Sequence, residues 1–246
     1  MGGSTQGHAY RGRVCASEYS QVLTHRKQAR APRRAGRTRG AAGEAVIPVR
    51  SDIVPGGTFP DYALPDHTGT VRRLSEIQGA DPLILTLARG NYCPKEHRQH
   101  LELAENYPQI AVAYTQVATI ATDDHHTLQE FRASVGAQWA FLSDPERKVQ
   151  KDLDIQEYTD PENNPMIPHT LVLKPGLVIH RIYNGYWFWG RPSTSDLWHD
   201  LRTVTSEIRP DWDLSAPGLR DAWNANDLSR FHGWNKGAKT PPLGSK

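Results

Sequence analysis

The run Leu83-Ile84-Leu85-Thr86-Leu87 constrains this chain more than any other stretch. It has the length of a strand and is apolar at nearly every position, as strands buried on both faces are. Arg89-Gly90-Asn91-Tyr92 interrupts it as a loop. A helix is expected from Pro94 to about Tyr107, with His97, Leu101 and Ala104 on one side. Val117 to Thr122 reads as a second buried strand. Strand, helix and strand in such close succession make a βαβ unit, whose strands are parallel and whose crossover is right-handed.

The same alternation continues on both sides. Phe59 to Leu64 and Val71 to Leu74 flank Asp66-His67-Thr68-Gly69 and read as two short strands around a turn. Asp124 to Val135 is expected to be helical, with Leu128, Phe131 and Val135 in register. Trp139 to Leu142 is a short strand, and Asp144-Pro145 opens a short helix through Leu153. Thr170 to Lys174 and Val178 to Tyr183 flank Pro175-Gly176, a pair suited to the centre of a type II turn, so they form an antiparallel hairpin. A last helix begins near Ser193, with Asp196 as its capping-box partner and Leu197, Leu201, Val204 and Ile208 as its stripe. The fold class is therefore α/β, a mixed sheet flanked by helices on both faces.

Charge divides the chain into three parts. Residues 1–50 hold ten Lys or Arg and two Glu, while residues 51–210 hold 14 basic against 21 acidic side chains. The acidic part is the expected domain. The first fifty residues read as a basic, disordered-looking tail, because their Arg-, Ala- and Gly-rich composition cannot bury enough apolar surface to offset ordering. Competing readings are a nucleic-acid or membrane contact, an organellar targeting peptide, or a misassigned start. No aromatic platform accompanies the arginines and no apolar run can span a bilayer, so neither nucleic acid nor membrane is an expected partner. Residues 211–246 are polar, carry Trp212, Trp223 and Trp234, and read as a second tail that partly wraps the domain.

Only two cysteines occur, Cys15 and Cys93, which excludes a disulfide framework and fits a reducing cytoplasm. Cys93 sits where the buried strand hands over to the helix. Pro94 suits the first helical position, which makes Cys93 the N-cap. A thiolate there meets unpaired backbone N–H groups and the positive end of the helix dipole, the setting of a reactive cysteine. Arg89 adds a cationic neighbour. A buried, inert cysteine is the bland alternative. The position at the C-terminal end of a parallel strand favours the reactive reading.

Three groups of residues together resemble a known family. Phe59, Leu64, Asp66, Gly69, Leu74 and Ser75 look like the start of the redoxin superfamily. Arg89-Gly90-x-Tyr92-Cys93-Pro94 is similar to the signature of its peroxiredoxin-like branches, the alkyl hydroperoxide reductase and thiol-specific antioxidant proteins. Ile167-Pro168-His169-Thr170 looks like the superfamily's cis-proline segment. The resemblance covers about residues 52–209. It implies a thioredoxin-like fold, Cys93 as the peroxidatic cysteine, and Pro168 as a cis-proline packed against it. It also allows a homodimer. Two departures stand out. The family's threonine three residues before the cysteine is Gly90, and its proline seven before is Thr86. The second cysteine of a Cys-x-x-Cys pair is Glu96, which excludes a dithiol cycle within the domain.

The expected reaction is a one-cysteine thiol peroxidase without cofactor or metal. Cys93 attacks a peroxide and Arg89 stabilises the charge; Gly90, Tyr92, Pro94, Pro168, His169 and Thr170 support the site. An external thiol such as glutathione, mycothiol or a thioredoxin-like protein restores the sulfur. Monothiol disulfide exchange is one alternative. A redox-sensing or binding module built on the aromatic run Tyr186-Trp187-Phe188-Trp189 is another. His97 with His100, and His125 with His126, lack the further ligands of a metal centre and read as a solvated face.

Overall fold

The structure is a computed structural model that describes residues 50–186 and 190–231. Its centre is strand β3 (Leu83–Ala88), buried at all six positions. To follow it through the fold, the preceding elements are β1 (Ala63–Pro65), β2 (Val71–Arg73) and a short helix α1 (Leu74–Gln78). After β3 come α2 (Pro94–Val112), β4 (Gln116–Ala121), α3 (His125–Ser134), β5 (Ala140–Ser143) and α4 (Lys148–Asp152). The chain then forms β6 (His169–Lys174), β7 (Val178–Asn184), α5 (Thr194–Ile208) and α6 (Leu219–Asn224). Five strands build one sheet in the order β5-β4-β3-β6-β7, with β3, β4 and β5 parallel and the other pairs antiparallel.

Two crossovers running the same way along the sheet place α2 and α3 on one face. There Leu103, Ile110, Leu128 and Phe131 pack with Leu197, Leu201 and Val204 of α5 against Ile84, Val117, Phe141 and Val172. On the other face Leu83, Leu85, Leu87, Leu171 and Leu173 meet Phe59, Leu64, Leu74, Val149 and Leu153. These come from the β1–β2 hairpin with its flanks, α1 and α4. The mixed sheet with helices on both faces follows, as expected.

Local chemistry explains most element ends. Asp66 accepts hydrogen bonds from the backbone N–H of Thr68 and Thr70, closing the β1–β2 turn in which Gly69 has φ 85°. Asp124 caps α3 through His126 and Thr127, and Ser193 with Asp196 forms the expected capping box of α5. The β6–β7 connection pairs Lys174 with Val178, so its loop has three residues. Gly176 takes the left-handed conformation of a type II turn, but Leu177 follows it at φ 58°. Its side chain is buried and its N–H donates to Gln78 Oε1 at 2.8 Å, which holds that backbone in place.

Two features of α2 differ from the sequence reading. The helix continues through Pro108 to Val112 instead of ending near Tyr107. Its inner face is Glu96, Gln99, His100, Leu103 and Ile110, while Leu101 is 47% exposed. The reason lies beneath it. Thr86, Thr119 and Thr170 present hydroxyls from three adjacent strands, and buried hydroxyls need partners. Polar side chains at the start of α2 supply them.

Beyond α5, the chain makes a helical turn at Pro210–Trp212, then α6, then a turn at Leu228–Arg230. The Trp212 ring lies 5.1 Å from Tyr114, whereas Trp223 is exposed. Trp234, Cys15 and the aromatic residues Trp187, Phe188 and Trp189 lie outside the described residues. Among the described residues, no helix is long and apolar enough to cross a membrane.

Candidate active site

Cys93 is the N-cap of α2 and Pro94 its first residue. The Cys93 N–H donates to Gly90 O at 3.2 Å, and its carbonyl accepts from the N–H groups of Glu96 and His97. The turn before the helix is fixed further by His97, whose Nε2 lies 2.7 Å from Asn91 O and 3.0 Å from Asn91 Oδ1. Asn91 N–H donates to Asp123 Oδ2 at 2.8 Å. Burial pushes the Asp123 carboxyl up from its ordinary value.

Gly90 has φ 129°, and a Cβ there would sit 2.8 Å from Asp123 Oδ1. Glycine is therefore required by both conformation and space. This accounts for the missing threonine three residues before the cysteine. The missing proline is accounted for by Thr86, whose hydroxyl donates to Thr119 Oγ1 at 2.8 Å. Thr119 Oγ1 also accepts from Trp139 Nε1 and lies 3.0 Å from His100 Nε2. His100 Nδ1 is 2.7 Å from Glu96 O. Complete burial depresses the His100 pKa to about 4, so the ring is neutral near pH 7.

The sulfur of Cys93 lies 3.7 Å from Arg89 Nη1, the donor that faces it. Arg89 is held from behind. Its Nη2 donates to Glu157 Oε1 and Asp160 Oδ2, both at 3.0 Å, and Nε lies 2.8 Å from Glu157 Oε2. Tyr92 donates its hydroxyl to Asp160 at 2.9 Å and places its ring 5.5 Å from the guanidinium. Burial opposes the charge on Arg89, but Tyr92, Glu157 and Cys93 together outweigh it and raise its pKa. Hydrogen bonding from the Asn163 backbone, then from Tyr92 and Asn163 side chains, holds the Asp160 carboxyl below its ordinary value.

Cys93 is only 2% exposed, yet it lines a cleft of about 690 Å³ together with Pro94, Tyr158, Ile167, Pro168 and Arg191. The sulfur thus lies flush with the floor of a cavity. Arg191 makes a close ion pair with Glu96, one helical turn into α2. Burial pushes the Glu96 carboxyl up, against the opposing pull of Arg191.

The sequence-predicted site residues separate into two groups. Arg89, Gly90, Tyr92, Cys93, Pro94 and Pro168 come together around the sulfur or its loop. His169 and Thr170 do not. Strand alternation turns His169 away into the apolar face, where it borders Phe59, Leu87 and Leu171. Its Nδ1 is 2.8 Å from Ile167 O and its ring meets Tyr186 edge-on at 5.8 Å. Thr170 faces α2 and accepts from Gln99 Nε2 at 2.8 Å, beneath the helix. Pro168 requires a correction as well. No cis peptide bond occurs among the described residues, so Ile167–Pro168 is trans. The segment runs extended into β6, the conformation that a trans X–Pro bond favours in the preceding residue. Pro168 O is used there to accept from Gly185 N–H at 2.7 Å.

Glu157, Asp160, Arg191 and Asp123 were not found from sequence. The first two approach Arg89 from 68 and 71 positions away in the chain.

Comparison with known proteins places these features in context. The pattern of the AhpC/TSA family matches residues 55–182. No curated protein matches the sequence. Among solved structures, the chain is similar to the peroxidoxin BcpB from Mycobacterium tuberculosis, with 18% identity and a TM-score of 0.51 over 63% of this chain and 96% of that one. It is similar to AhpC from Enterococcus faecalis, with 15% identity and a TM-score of 0.52 over 66% and 98%. Reduced Prx3 from Vibrio vulnificus gives 16% identity and a TM-score of 0.53 over 62% and 98%. At such identities these likenesses establish the thioredoxin-like fold.

Proposed function

This chain belongs to the AhpC/TSA family, and from that premise we propose that it is a one-cysteine thiol peroxidase acting through Cys93. The Cys93 thiolate attacks the terminal oxygen of a hydroperoxide. The O–O bond breaks, sulfur is oxidised to a sulfenic acid, and the alkoxide or hydroxide leaves and takes a proton from solvent. Arg89 stabilises the thiolate and then the charge developing on oxygen. An external thiol attacks the sulfenic acid, releasing water and leaving a mixed disulfide. A second thiol cleaves that disulfide and restores Cys93. Residues 51–210 carry this chemistry.

One observation carries the reading: an arginine nitrogen 3.7 Å from the sulfur of the N-cap cysteine, which borders a cleft. Peroxide consumption with glutathione or thioredoxin as reductant tests it. The wild type is expected to turn over and Cys93→Ser to fall to the uncatalysed rate. Equal activity of the two proteins would remove Cys93 from the chemistry.

Monothiol disulfide exchange is the second reading. It is favoured by Gly90 in place of the peroxide-holding threonine and by a cleft far larger than a hydrogen peroxide molecule. It predicts reduction of glutathionylated substrates with no consumption of peroxide.

A further inference from the structure

The far end of α2 borders a second cleft, of about 670 Å³, between that helix, α5 and the turn at Pro210–Trp212. At 1.5 Å per residue, the helix separates it from Cys93 by roughly 30 Å. Two indoles, Trp198 and Trp212, line it over an apolar floor that includes Leu201. The Trp212 ring is held in place, with the Arg209 guanidinium 4.0 Å from its centre and the Tyr114 ring 5.1 Å away.

Gln109, Thr205, Ser206 and Asp213 also line the cleft, and three further polar side chains decide what it can hold. Arg209 bonds to Asp211 at 2.9 and 3.1 Å, so its charge is already answered. Arg202 is exposed on α5 and has no ion-pair partner among the described residues. Thr115 is 3% exposed, and its hydroxyl is buried without a hydrogen-bond partner. A buried, unsatisfied hydroxyl is costly, and native structures rarely keep one without a ligand or water to pair it.

We propose that this cleft binds a small aromatic carboxylate that carries a second polar group. The ring lies among the indoles and the carboxylate meets Arg202. The second polar group pairs with the Thr115 hydroxyl. The anion is placed by chemistry: α2 and α5 both end here, and their terminal carbonyls disfavour negative charge within the last turn. Arg202 stands seven positions before the Arg209 cap of α5, beyond that reach.

The test uses the full chain labelled with nitrogen-15, following tryptophan indole signals during titration with 6-hydroxy-2-naphthoate. Two indole signals, assigned to Trp198 and Trp212 by substitution to Phe, are expected to shift saturably. Arg202→Ala is expected to weaken the naphthoate about tenfold while leaving 2-naphthol unchanged, as loss of one charge-assisted contact implies. Thr115→Val should erase the preference for 6-hydroxy-2-naphthoate over 2-naphthoate. Both substitutions are expected to leave Cys93 chemistry untouched. Absence of saturable shifts, or an Arg202→Ala protein that binds as well as wild type, would overturn the proposal. So would shifts at these indoles that track protein concentration without ligand, which would assign the cleft to a second copy of the chain.

Discussion

The two faces of the central sheet solve different problems. One is apolar apart from His169: Leu83, Leu85, Leu87, Leu171 and Leu173 pack against Phe59, Leu74 and Val149. The other, beneath the start of α2, gives up apolar contact for a polar cluster of Thr86, Thr119, Thr170, Gln99 and His100. Directional bonds fix position where apolar packing mainly supplies affinity. The polar face is the one that carries the helix capped by Cys93. The contrast teaches that the sheet is glued on one side and aligned on the other.

The largest expected effect breaks the apolar side. Leu85→Ala removes a fully buried side chain and should cost about 2–5 kcal/mol of stability, read by denaturant unfolding. The folded fraction should keep its rate at Cys93. A rate loss equal to that of site variants would erase the distinction between the faces.

Next comes pH, which acts on the polar side. His100 is depressed from 6.5 to about 4 by burial. Below pH 6.5 the unfolded chain takes a proton that the folded chain refuses. Its contribution to stability is thus present above pH 6.5 and lost as pH falls towards 4, by about 3 kcal/mol. His100→Asn should flatten that part of the stability curve. An unchanged slope would show that the ring does not stay neutral in the fold.

Arg89→Gln sharpens the site itself. It should slow oxidation of Cys93 by roughly 100–1,000-fold, the scale of one lost electrostatic donor. Stopped-flow tryptophan fluorescence with hydrogen peroxide would measure it, with Asp160→Asn expected to show a smaller loss through misplacement of Arg89. The smallest effect belongs to Thr119→Val, which strips partners from His100 and Trp139. It should cost about 1–3 kcal/mol.

Legibility in the sequence followed the range of the interactions. The βαβ unit and the Ser193–Asp196 box depend on patterns within short stretches of chain, and the structure has both; Asp124, expected inside its helix, instead caps it. Cys93 as N-cap was legible because Pro94 sits beside it. The inner face of α2 was not, because it answers threonines on three separate strands. Arg89 was named, but its clamp was invisible, since Glu157 and Asp160 arrive from a distant loop. His169 was assigned to the sulfur by adjacency to Pro168. Alternation along β6 was already in the sequence, and it sends His169 and Leu171 to one face and Thr170 to the other. The expected cis bond at Pro168 rested on resemblance alone, and the extended run into β6 overruled it.

The most direct test of the account is chemical trapping at one atom. The protein is pulsed with one equivalent of hydrogen peroxide in the presence of dimedone and then mapped by mass spectrometry. A single adduct on Cys93, lost in Cys93→Ser and reduced in Arg89→Gln, is the predicted result. An unlabelled Cys93 in the native protein, alongside labelling once the chain is unfolded, would mean that the sulfur is sealed in place and takes no part in peroxide chemistry.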